Sequence, residues 1–93
     1  MKTIDLSVAT TRDLNQALHA PAEALAAREW LVTHPGGKHN LAVGVNEALS
    51  ITIDGHAGYY CAGMNQKADI TVLGNVGVGV AENMMSGSVR VRG

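Results

Sequence analysis

Four histidines and one cysteine are the side chains of this 93-residue sequence best suited to hold a metal or to act as nucleophile or base. His34 and His39 are five apart, and neither a Cys pair nor a His-x-x-x-His spacing accompanies them, so the pattern predicts no metal site. His56 directly follows Gly55 and reads as a solvated loop residue. Cys61 could attack an electrophile only if a base or cation activated its thiol. The segment Gly74-Asn75-Val76-Gly77-Val78-Gly79-Val80-Ala81-Glu82 has the glycine content of a dinucleotide-binding loop. That loop, however, needs Gly or Ala where Glu82 stands, a helix after it, and an acid about twenty residues on. Only eleven residues follow Glu82, so nucleotide binding is not expected.

The composition sets wider bounds. An apolar fraction of 46% against 16% charged residues supports a packed core in one domain. That core is built from small pieces, with eleven Gly, no Phe and one Trp. A net charge of −1 offers no basic field for nucleic acid or an anionic membrane. A lone cysteine excludes an intrachain disulfide, and an iron–sulfur cluster needs about four thiolates, so no cofactor is expected in this chain. Asp5, Arg12 and Asp13 interrupt the N-terminal stretch where a secretory signal would be apolar, and no run approaches the ~18 residues that span a bilayer. A cytoplasmic protein is expected.

The elements that must position these residues fall into two regions. Residues 1–29 read as a cap and linker: a short strand through Ile4 and Leu6, a helix with Thr10 as N-cap and Asp13 three residues on, and an Ala-rich stretch from Pro21. From residue 30 to 93 glycine recurs at a fixed interval, with Gly36, Gly55, Gly74 and Gly93 each nineteen apart. The preceding residues keep step as Ile51-Thr52-Ile53-Asp54, Ile70-Thr71-Val72-Leu73 and Val89-Arg90-Val91-Arg92, and a degenerate copy begins at Val32-Thr33. Gly58 matches Gly77, and Cys61 matches Val80, which makes Cys61 a small core hydrophobe.

Each copy alternates apolar and polar residues, as a half-buried strand does. A unit of nineteen residues is too short for strand, crossover helix and return, which take about thirty. The expected fold is therefore all-β: a right-handed parallel β-helix, a single-stranded solenoid of nineteen residues per coil, preceded by the short strand and helix. Each coil would hold two or three short strands. Gly36, Gly55, Gly58, Gly74, Gly77 and Gly93 would turn its corners, where positive φ or close backbone approach excludes a Cβ. Of Tyr59 and Tyr60, one ring is expected in the core and one outside. Tyr60, together with Glu82, Asn83, Met84 and Met85, forms the expected interface.

The segments Asp54–Asn65 and Gly74–Gly87 resemble the glycine-repeat domain of glutamate synthases. The closest likeness is to the small β-helical subunit of N-methylglutamate synthase, and it covers residues 30–93 together with the first twenty. The resemblance implies a structural subunit working beside a class II glutamine amidotransferase-like subunit and a flavin-dependent synthase subunit that holds FMN and an iron–sulfur cluster. It implies no catalytic residue in this chain, since the amidotransferase nucleophile is an N-terminal Cys and Met1-Lys2 stand here. Members of that family continue for more coils, so an interrupted repeat or an end covered by a partner is expected at Gly93. Two alternatives are a β-helical subunit of a formylmethanofuran dehydrogenase or formyltransferase/hydrolase complex, and a stand-alone ligand-binding protein or enzyme using His56, Tyr60 and Cys61.

Overall fold

Thr10 opens the helix as its spacing to Asp13 predicts. In the computed structural model, Thr10 Oγ1 accepts from Asp13 N at 3.0 Å and Asp13 Oδ2 accepts from Thr10 N at 3.0 Å. This reciprocal cap satisfies two backbone donors that a helix N-terminus leaves over. The structure describes residues 2–19, 28–82, 84 and 86–92. Its elements are β1 (Lys2–Asp5), α1 (Thr11–Leu18), β2 (Glu29–Thr33), β3 (Ser50–Asp54), β4 (Asp69–Val72) and β5 (Ser88–Val91).

The five strands form one parallel sheet in the order β1-β2-β3-β4-β5. Ile51 pairs with Ile70 and Ile70 with Val89, so the nineteen-residue interval is the strand register from β3 to β5. One step earlier the register differs: Trp30 pairs with Ile51 and Val32 with Ile53, an interval of twenty-one. The degenerate copy therefore starts two residues before the point its glycine spacing indicates. Gly36 is not the counterpart of Gly55. His34 is, following Thr33 as Gly55 follows Asp54, and both have positive φ (54° and 141°).

The expectation of an all-β parallel β-helix is corrected. The described residues form a small globule containing one five-stranded parallel sheet and one helix, a mixed α/β content, and no second or third strand per unit. The radius of gyration, 11.5 Å, is that of a compact domain of this length, for which about 12 Å is typical. Backbone conformation explains why each unit has a single strand. After each strand, alternate residues turn left-handed: Asn40, Ala42 and Gly44 in one connection, Tyr60, Ala62 and Met64 in the next, Gly79 and Ala81 in the third. An extended strand needs φ near −120°, and a residue at about +55° bends the chain out of the pleat. Turns and bends consequently carry the chain from strand to strand.

The core lies against one face of the sheet. Trp30, Val32, Ile51, Ile53, Ile70 and Val72 are buried and alternate with half-exposed Leu31, Thr52 and Thr71. Each buried aliphatic side chain is worth roughly 1.5–3 kcal/mol. Helix α1 adds Leu14 and Leu18 to this core and is fastened to the first connection by polar groups. Asn15 Nδ2 donates to Asn40 O at 2.8 Å, Asn15 Oδ1 accepts from Val43 N at 3.2 Å, and His19 Nε2 donates to Val43 O at 2.7 Å.

Candidate functional site

His34, His39, His56, Cys61 and the Gly74–Glu82 segment lie on the three connections between β2 and β5, and His19 caps the C-terminus of α1. These connections are hydrogen-bonded from one layer to the next. Gly37 N donates to His56 O at 2.9 Å, Asn40 N to Tyr59 O at 2.9 Å, Tyr60 N to Val78 O at 2.9 Å, Ala81 N to Cys61 O at 2.8 Å and Met64 N to Glu82 O at 2.7 Å. Gly77 N donates to Gly58 O at 3.1 Å, which commits a group that a phosphate-binding loop would leave for its ligand. Turns, not a helix, follow Gly74–Gly79 among the described residues.

Cys61 is fully buried, and desolvation pushes its thiol up to about 11. The thiolate is therefore scarce at neutral pH, and the side chain packs as an apolar group. Asp5 gathers the most polar contacts of any carboxylate in the described chain: Ser7 N at 2.9 Å, Ser7 Oγ at 2.7 Å and His34 Nδ1 at 2.9 Å, all on Oδ1. The Ser7 bonds first, and then His34, hold the Asp5 carboxyl below the usual range. Ser7 donates to the carboxylate and not to the imidazole, so the three residues do not form a nucleophile–base pair. No group of three or more His, Cys, Asp or Glu among the described residues is placed to hold a metal ion.

The expected corner glycines differ in what they require. Gly36 and Gly55 have positive φ. Gly58, Gly74 and Gly77 do not, and at each of them a Cβ would strike the neighbouring layer. At Gly74 it would lie 2.5 Å from the Gly55 carbonyl carbon and 2.6 Å from His56 Nδ1; at Gly58 it would meet His39 Nδ1 and Gly37 O. Close approach is the constraint there, not turn handedness. Gly93, Asn83 and Met85 lie outside the described residues.

Of the two tyrosines, Tyr59 is the ring in solvent, 59% exposed and stacked on His39 at 4.7 Å with an interplanar angle of 11°. Tyr60 is half-buried, its ring filling the space beside Gly63. Val78, the residue that follows Tyr59 one unit later, is 81% exposed. Met64, Met84 and Glu82 are also exposed, so the connections present several apolar side chains and a carboxylate to solvent.

Two features escape sequence reasoning. Asn65 is fully buried, with Oδ1 accepting from Ala68 N at 3.1 Å and Nδ2 donating to Ala68 O at 2.8 Å. The recurrence of Gly44-x-Asn46 as Gly63-x-Asn65 was the available signal, although Asn46 itself is exposed. His56, expected to be merely solvated, accepts from Asn75 N at 2.9 Å across layers, and His39 accepts from Tyr59 N at 2.8 Å in the same way.

The chain is similar to Protein GlxC of Rhizobium meliloti (strain 1021), with 43% identity over 89 residues. Those residues are 96% of this chain and 39% of that protein, so the chain spans about two fifths of the length of the curated relative it matches. No family model matches the chain, and no solved structure does. No described helix is long and apolar enough to cross a membrane.

Proposed function

We propose that this chain is a non-catalytic structural subunit, or part of one, in a glutamate-synthase-like complex. The observation that carries this reading is the glycine repeat. Asp54–Asn65 and Gly74–Gly87 are the segments that resemble the glutamate synthase domain, and they lie in adjacent layers at the interval of nineteen that pairs Ile51 with Ile70. The similarity to Protein GlxC runs through both segments and supports the same placement. In its finer form the reading is N-methylglutamate synthase, which in the cytoplasm replaces the amino group of glutamate by methylamine and releases ammonia. The partners in this reading are a class II amidotransferase-like subunit and a flavin-dependent synthase subunit that holds FMN and an iron–sulfur cluster.

In this reading the chain supplies surface. The connections are hydrogen-bonded to one another, and the exposed side chains of Tyr59, Val78, Met64 and Met84 are what they offer to a partner. The buried, protonated Cys61 and the committed amides of the glycine loop are consistent with chemistry located in other subunits. The test is recovery of the tagged chain from its native cells with partners identified by mass spectrometry. Amidotransferase-like and flavin synthase subunits in stoichiometric amounts are expected. Formyltransferase subunits, or the chain alone, would overturn the assignment.

A further inference from the structure

The four histidines divide by the role their ring nitrogens play. His19 Nε2 faces the Val43 carbonyl and His34 Nδ1 faces the Asp5 carboxylate, so both nitrogens donate, a role compatible with a charged imidazolium. His39 Nδ1 and His56 Nδ1 do the opposite. Their partners are the backbone N–H groups of Tyr59 and Asn75, which can only donate, so each Nδ1 must keep its lone pair. An imidazolium carries a proton on both nitrogens and has no lone pair to offer.

The same construction occurs twice. His39 reaches Gly58-Tyr59 in the next layer and His56 reaches Gly74-Asn75 in the layer after it. In each case the glycine before the donor is the one whose Cβ would collide with the imidazole Nδ1, so the missing side chain makes the seat for the ring. We propose that His39 and His56 are acid-labile clasps between layers. A solvent proton taken up at Nδ1 breaks the bond to Tyr59 N or Asn75 N and frees that edge of the connections, while β3 and β4 keep their ladder.

The rings are exposed to the solvent that must deliver the proton. Among the titratable groups on the elements packed against them are Tyr59, stacked on His39; Lys38, whose carbonyl accepts from Gly58 N at 2.7 Å; and Asp54, at the end of β3 two residues before His56. None of these is ion-paired with either imidazole among the described residues. The exposed Tyr59 ring rests on one of the clasps, His39. Acid would therefore loosen the surface that carries Tyr59.

The test is NMR of the full chain between pH 7.5 and 5. Nitrogen shifts at neutral pH are expected to show the Nε2–H tautomer for His39 and His56. Amide protection at Tyr59 and Asn75 should fall by up to about tenfold per pH unit as one proton couples to each opening, while Ala62 and Ala81 hold. Asparagine places Oδ1 where Nδ1 stood and does not titrate, so His39→Asn and His56→Asn should keep the two amides protected down to pH 5. An Nδ1–H tautomer in the unaltered chain, protection at Tyr59 and Asn75 that does not change with pH, or an equal loss in the asparagine variants would each overturn the proposal. The tautomer is read on the unaltered chain, so the outcome does not depend on either variant folding.

Discussion

His34 Nδ1 lies 2.9 Å from Asp5 Oδ1 and joins the ends of two neighbouring parallel strands, β1 and β2. The same carboxylate oxygen takes both donors of Ser7, which turns the chain from β1 toward α1. Asp5 is thus the knot that keeps the edge strand and the helix on the sheet. Its carboxyl is held below the usual range, by Ser7 first and by His34 after it. A depressed folded value means that the stabilisation is complete above the ordinary aspartate value of about 3.9 and disappears as pH falls through the folded value. Urea melts between pH 6 and 2 should therefore lose stability in that lower window. Asp5→Asn should be less stable at pH 6 and should lose less on acidification. Identical pH profiles for the two proteins would refute the assignment.

Asn65→Ala isolates a buried polar pair. The Ala68 carbonyl keeps a second donor, Ser88 N at 3.1 Å, but Ala68 N would lose the Asn65 oxygen. An orphaned buried donor costs about 1–3 kcal/mol, and the substitution should destabilise by that amount in equilibrium unfolding. A change below about 0.5 kcal/mol, the ordinary surface range, would show that water or a backbone shift replaces the side chain.

Gly74→Val should be far more damaging than Thr71→Val. A Cβ at position 74 would stand 2.5 Å from the backbone of Gly55, which cannot yield as a flexible side chain does, whereas Thr71 is half-exposed on the outer face of the sheet. We expect a loss of more than about 2 kcal/mol for the first and within about 0.5 kcal/mol for the second. Equal thermal melts would contradict the close-approach role of Gly74.

The sheet register was legible wherever one residue type held the column. Ile51, Ile70 and Val89 share a position and an apolar role, and their interval of nineteen is the pairing interval. It failed at β2 because a glycine fell by coincidence at the same interval: Gly36 lies nineteen before Gly55, while the structural counterpart of Gly55 is His34. Periodicity reports that a unit repeats, but not how many strands the unit holds. Asn40 is a type that enters the left-handed region readily, but Ala42, Tyr60, Ala62, Met64 and Ala81 are of ordinary types for extended or helical backbone, so nothing in those five announced turns. Equally hidden were the bonds from His39 and His56 to backbone amides about one unit away, since they arise only once the layers are stacked.

Cys61 supplies a chemical test of the core. Burial raises the thiol to about 11, so reaction with an aromatic disulfide reagent at pH 7.5 requires exposure first. The native chain should label at least about a hundredfold more slowly than the chain in denaturant, with a rate that follows the opening equilibrium. Fast native labelling would mean a reachable, activated thiol and would revive a catalytic role for Cys61.

Turnover bears most directly on the central claim that this chain is scaffold and its partners are the catalysts. Glutamate- and methylamine-dependent synthesis of N-methylglutamate should be assayed in the assembly recovered with the tagged chain and in the isolated chain under the same conditions. The account predicts synthesis by the assembly, accompanied by flavin absorbance, and none by the isolated chain. Synthesis by the isolated chain, or a recovered assembly that lacks both flavin and activity, would contradict it.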